Sequence, residues 1–197
     1  MATSPNTRDR TLLTYGKALG KWAEIEKALY DWFRYATLLD DRPARAIFYS
    51  ATAFRGRLDM LDALVDLEQL EAADIEFLEA ASKKCIQYSG FRNKLAHGAF
   101  SFDGTQILQG KHPYKIAREN ALALDDLVIA ASNFENLADA IQAALFISQG
   151  ADPPEEEPLS SLEKCLAQVR TLPIEANSRT PAQIISKHKH LQRSSRR

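Results

Sequence analysis

An apolar side chain returns every three or four positions from Trp22 to Ala36: Trp22, Ile25, Leu29, Trp32, Phe33 and Ala36. Such a stripe winds onto one face of an α-helix. It cannot lie on one face of a strand, where side chains alternate with a period of two. The pattern predicts a helix over about 11–39, with Gly16 and Gly20 as points where its first turns can break away. Residues 1–8 are polar and read as a frayed end.

The same periodicity recurs downstream. After the turn DDRPAR, with Pro43 near a helix start, a second helix is predicted over 43–67, its stripe formed by Phe54, Leu58, Leu61, Leu64 and Val65. A third spans 72–97, with Ile75, Leu78, Ala81, Ile86 and Leu95 as core positions and Gly90 as an interruption. A fourth runs over 124–148 through Leu127, Phe134, Leu137, Ile141 and Leu145, and Gly150 ends it. Between the last two, residues 99–118 change character. Asp103-Gly104 between short alternating segments is a hairpin signal, so two short strands or an irregular loop are expected there.

Several amphipathic helices must bury their stripes against one another. The expected fold is all-α: an antiparallel four-to-five-helix bundle over 9–150, with a short hairpin or loop insertion between the third and fourth main helices. From 151 the composition shifts. DPPEEEP reads as a linker, 158–171 as a short helix, and the end of the chain as a basic tail with Arg179, Lys187, Lys189, Arg193, Arg196 and Arg197.

Composition narrows the function. With 25 basic and 26 acidic residues the chain has no global attraction to nucleic acid or to a membrane surface, so a nucleic-acid partner would need a local basic site. Cys85 and Cys165 form no ligand motif, which disfavours a structural zinc or a disulfide framework and points to reduced thiols and a cytoplasmic protein. The start, MATSPNTRDR, lacks an apolar signal core, and no run of about 18 apolar residues marks a membrane span. Asp59, Asp62 and Asp66 share a helix face with Arg55 one turn away. That face reads as a solvated stripe with an ion pair, and no second motif supports a metal.

The stretch FRNKLAHG, residues 91–98, carries the chemistry. Asn93 and His97 are four apart and fall on one helix face, where the amide can hold a ring nitrogen and fix the tautomer. Arg92 lies about 140° round from His97 on an ideal helix. It reaches a shared target only if the last turn loosens, which Gly90 and Gly98 would permit. Histidine can give or take a proton near neutral pH, and the guanidinium fork suits two phosphate oxygens. The competing reading from spacing alone is a helix terminus capped by Arg92 and His97.

RNKLAHG resembles the Arg-x4–6-His signature of the HEPN domain superfamily, in which a polar residue, often Asn, follows the arginine. The resemblance implies a helical bundle with the motif at the end of the third main helix and a homodimer with a composite cleft. In active members it implies RNA cleavage without a metal or other cofactor. Carried onto this chain, Arg92 and His97 are the catalytic pair and Asn93 the accompanying polar residue. The function expected is an endoribonuclease, acting as a toxin or defence effector with an antitoxin protein as a further partner. The alternative is a non-catalytic helical dimer that binds RNA, a nucleotide or a protein. Where HepT-like toxins carry a regulatory tyrosine two residues after the histidine, this chain has Ala99.

Lys94, Lys111 and Lys115 are the candidate RNA contacts, the last two flanking Tyr114 in a loop whose ordinary reading is plain surface. His112, His188 and His190 read as solvated, Trp22 and Trp32 as core or dimer contacts, and Cys85 as structural.

Overall fold

The computed structural model describes residues 7–65, 70–97, 99–102, 107–110 and 116–179, with the strand segments up to residue 121 described by backbone alone. Among these the elements run α1 (Thr7–Thr37), α2 (Asp41–Phe48), α3 (Phe54–Asp62), α4 (Ala72–His97), β1 (Ala99–Phe102), β2 (Ile107–Gly110), β3 (Ile116–Leu122), α5 (Leu124–Ser148) and α6 (Leu162–Thr171). The fold is an all-α bundle carrying a small antiparallel sheet between its third and fourth main helices.

The predicted stripes form the core. Trp22, Ile25, Leu29, Trp32, Phe33 and Ala36 of α1 are buried, as are Leu127, Phe134, Leu137, Ile141 and Leu145 of α5. In α4 Leu78, Ala81 and Leu95 are buried, but Ile86 is exposed, one position off the face that Cys85 and Tyr88 define. Contacts fix the helix directions. Trp22 packs edge-on against Phe134, Trp32 Nε1 donates to the Ile141 carbonyl at 2.9 Å, and Tyr35 donates to the Ser148 carbonyl at 2.7 Å, so α1 and α5 run the same way. Trp32 stacks near Phe77, while Tyr15 meets Leu95, so α4 runs opposite to both.

The glycine signals inside helices did not act as breaks, since α1 passes through Gly16 and Gly20 and α4 through Gly90. A break occurs instead in the predicted second helix, which divides into α2 and α3. Phe48 packs on Tyr30 and Phe33, whereas Phe54 packs on Trp22. Six residues apart, these rings would point about 120° from each other on one straight helix. Breaking the helix lets both face α1. Ser50 Oγ donates to the Ile47 carbonyl at 2.6 Å to close α2, and Ala53 is extended ahead of α3. The chain returns closely at Gly56, where a Cβ would lie 3.3 Å from the Ala51 Cβ, a tight contact.

The insertion has three strands in the order β1-β2-β3, both pairs antiparallel, with Phe102 opposite Ile107 and Ile107 opposite Leu122. β1 and β2 flank the Asp103-Gly104 position, which itself lies outside the described residues. β3 was not expected. Its sequence IARENAL lacks clean alternation, and it forms by pairing with the edge of β2, with an irregularity between Leu108 and Gln109.

Capping follows familiar chemistry. Asp126 accepts from the Ala123 N–H at 3.0 Å at the start of α5. At its end Gly150 takes φ 88°, and the N–H groups of Gly150 and Ala151 bond back to the Ile147 and Phe146 carbonyls at 2.8 and 3.1 Å. A left-handed residue there suits glycine.

The compositional shift at 151 is not an edge of the core. Cys165, Val169, Leu172 and Ala176 belong to the same buried cluster as the main helices. Buried Lys84 donates to the Leu172 and Pro173 carbonyls at 2.8 and 3.2 Å, just past the end of α6, and Asn133 donates to those of Ala176 and Ser178 at 2.7 and 2.9 Å. Burial and then neighbouring Lys83 push the Lys84 pKa below the ordinary lysine value. The tail beyond Arg179, including His188 and His190, lies outside the described residues. Among the described residues no helix is long and apolar enough to cross a membrane.

Candidate functional site

The motif occupies the last two turns of α4. Phe91 and Leu95, four apart, are buried and set the rotation of the helix end. Tyr15 of α1 donates its hydroxyl to the Leu95 carbonyl, one of those at a helix end that lack an intrahelical partner. Burial raises the Tyr15 pKa, so the hydroxyl keeps its proton and remains a donor. With that face anchored, Asn93, Lys94 and His97 are exposed and Arg92 sits half-buried at the boundary.

The helix continues unbroken to His97, so the loosening anticipated from the glycines is not seen. Arg92 and His97 therefore stay on different faces, about 7.5 Å apart along the axis. Asn93 also differs from expectation. Its Oδ1 accepts from Arg92 Nη1 at 3.2 Å, which commits the amide oxygen to the arginine and not to the imidazole.

Arg92 is held by a residue the sequence did not single out. Its Nη2 donates to Glu26 Oε1 at 2.9 Å, and its guanidinium carbon stands 5.8 Å from the centre of the Trp22 ring. Glu26 Oε1 also accepts from Trp22 Nε1 at 2.6 Å, and Oε2 from Arg57 Nη1 at 2.6 Å. Arg57 in turn donates through Nε to the Ala51 carbonyl at 3.2 Å and covers Tyr49 at 4.9 Å. The side chains of Arg57 and Glu26 are 15% exposed, against 24% for Arg92, so the cluster opens to solvent on the Arg92 side. One carboxylate between two guanidiniums leaves one net positive charge. Behind the cluster, burial first and the Glu26 charge second push the Cys85 thiol far up, consistent with an unreactive structural cysteine.

Comparisons with family models, curated proteins and solved structures find no match.

Lys94 projects from the exposed side of α4, whereas Lys111, Lys115, His112 and Tyr114 lie outside the described residues. Trp22 and Trp32, 2% and 0% exposed, are core residues of this chain. Arg55 pairs with Asp59 at 2.9 Å on an exposed face, while Asp66 lies outside the described residues. Among the described residues, no three His, Cys, Asp or Glu side chains gather as a metal-holding group.

The side chains around the motif that the sequence did not single out are Glu26, Arg57 and Tyr15. A weak signal existed, because Tyr15, Trp22 and Glu26 follow steps of seven and four and so share one stripe of α1. A carboxylate at the margin of an apolar stripe is the one hint that a cation from another helix meets it there.

Proposed function

We propose that this chain is a metal-independent endoribonuclease of the HEPN type, with Arg92 and His97 as its catalytic pair and Asn93 as an accessory to Arg92. The observation that carries the reading is the placement of Arg92: an arginine of the motif, oriented by Glu26 and Asn93, on the solvent-open side of a cluster with net positive charge. Such a group can meet a phosphodiester and stabilise charge that develops on it.

In the proposed reaction the 2′-oxygen attacks phosphorus and its proton passes to one imidazole. The P–O5′ bond breaks as the 5′-oxygen takes a proton from a second acid, leaving a 2′,3′-cyclic phosphate and a 5′-hydroxyl. One chain carries His97 on a face different from Arg92, so a two-fold dimer is proposed to bring a second copy of the cluster to the same RNA. Lys94, Lys111 and Lys115 are the proposed backbone contacts. Action as a toxin or defence effector in the cytoplasm, restrained by an antitoxin protein, belongs to the same proposal.

A second reading is favoured by the ion pair itself. Arg92 spent on Glu26 can serve as a brace between helices, in a non-catalytic dimer that binds RNA, a nucleotide or a protein. Incubation of single-stranded RNA with the purified protein in EDTA separates the two. Cleavage by the parent and its loss in both Arg92→Ala and His97→Ala, with helical content unchanged, supports the nuclease. Retention of RNA without cleavage supports the binding module, and a folded alanine variant as fast as the parent removes that residue from the reaction.

A further inference from the structure

We infer that Glu26 is a positioning residue for Arg92, with Arg57 as the counter-cation that keeps the shared cluster positive; as a statement about RNA chemistry this rests on the nuclease reading. Trp22 is 2% exposed and wedged edge-on between Phe54 and Phe134, at 4.9 and 5.3 Å. Its indole N–H fixes Glu26 Oε1, and the same oxygen receives Arg92 Nη2. Order is thus passed from the core to a side chain that opens to solvent. A free arginine at a surface has rotamer entropy to lose on engaging a ligand. Here that loss has largely been taken on folding, which is the meaning of preorganisation.

The charge of the cluster matters alongside its rigidity. A carboxylate paired with Arg92 alone would cancel the charge that draws a phosphodiester. Arg57 enters from α3 and binds the other oxygen, so the three groups sum to one positive charge while Arg92 remains held on two sides. A guanidinium has five N–H donors, more than the two polar contacts that Arg92 makes among the described residues. Donors are left for an incoming anion without release of Glu26.

The test uses the full chain with Glu26→Gln, and with the double variant Glu26→Gln, Arg57→Gln, which removes the carboxylate together with one of its cations and avoids an additional unpaired charge. Two readouts are needed. The first is ¹⁵N relaxation of the Arg92 Nε–H. The parent should show an ordered side chain, and both variants a mobile one. Equal order in a folded variant overturns the inference whatever the protein does to RNA. The second is cleavage kinetics. Glu26→Gln should lower kcat by about 10²-fold with KM nearly unchanged, the cost of a misplaced group. The same substitution in an Arg92→Ala background should change the residual rate less than about twofold, because Glu26 acts through Arg92. Effects that multiply in the combined variant overturn the positioning role. A parent that orders Arg92 as stated but leaves RNA intact removes the nuclease reading and keeps the positioning of Arg92.

Discussion

The Tyr15 hydroxyl donates to the Leu95 carbonyl across 80 residues of sequence, tying the third turn of α1 to the last turn of α4 two residues before His97. Tyr15→Phe removes that donor and leaves a helix-end carbonyl without it. A hydrogen bond of this kind stabilises by about 1 kcal/mol, which lowers Tm by about 2–4 °C in a chain of this size. The expected result is that drop, together with faster amide exchange confined to the last turn of α4. Unchanged protection there would show that Leu95 does not depend on Tyr15.

Arg92→Lys keeps the positive charge and loses the planar fork. An ammonium cannot hold the same two-sided geometry against Glu26 and Asn93 and still present a bidentate face. Under the nuclease reading kcat should fall about 10²-fold, as for loss of one transition-state donor, while RNA affinity changes little. Steady-state kinetics on a short single-stranded RNA measure both. Full activity in the lysine variant would reduce Arg92 to a point charge.

A chain ending at Gly150 lacks the segment that contributes Cys165, Val169, Leu172 and Ala176 to the core. Val169 and Leu172 alone account for about 1.5–3 kcal/mol of burial each. The carbonyls that accept from Lys84 and Asn133 go with them. The truncated chain should unfold at clearly lower urea concentration than the full chain, or without cooperativity. Equal midpoints would make residues 151–197 an appendage.

Alkaline stability has a definite sign. Burial raises Cys85 above its ordinary value of 9.0 and Tyr88 above 10.0. In the unfolded chain these groups ionise at their ordinary values, so above about pH 9 the folded state binds more protons and stability falls as pH rises. Lys84 acts oppositely. Its lowered folded pKa means that the unfolded chain binds the extra proton, and stability from this group recovers as pH approaches 10.5. Tyr88 isolates one contribution, because its buried hydroxyl finds no hydrogen-bond partner among the described residues. Tyr88→Phe removes a buried hydroxyl that has no partner among the described residues, so at neutral pH it should be at least as stable as the parent. It should lose less stability above about pH 10. Urea titrations at the two pH values measure the difference, and parallel declines would rule out a Tyr88 contribution.

Much of the architecture was legible locally. The bounds read for α4 and α5 coincide with those observed, because a helix is built from bonds four residues apart and its buried face repeats at the same short range. The hairpin position was readable from Asp103-Gly104, but β3 was not, since a strand is completed by its neighbour. The division of the second helix carried no glycine or proline signal at residues 49–53. It follows from where Phe48 and Phe54 must dock on α1.

The candidate site divides in the same way. The sequence by itself determined that Arg92, Asn93 and His97 share a helix end, since their spacing is local. Only the tertiary structure decided that Glu26 joins Arg92 to Arg57 across three helices, and that Tyr15 anchors the turn beneath His97. Those contacts depend on the relative rotation and register of helices, which core packing sets over long range. No spacing within one helix encodes which charge of another it will meet.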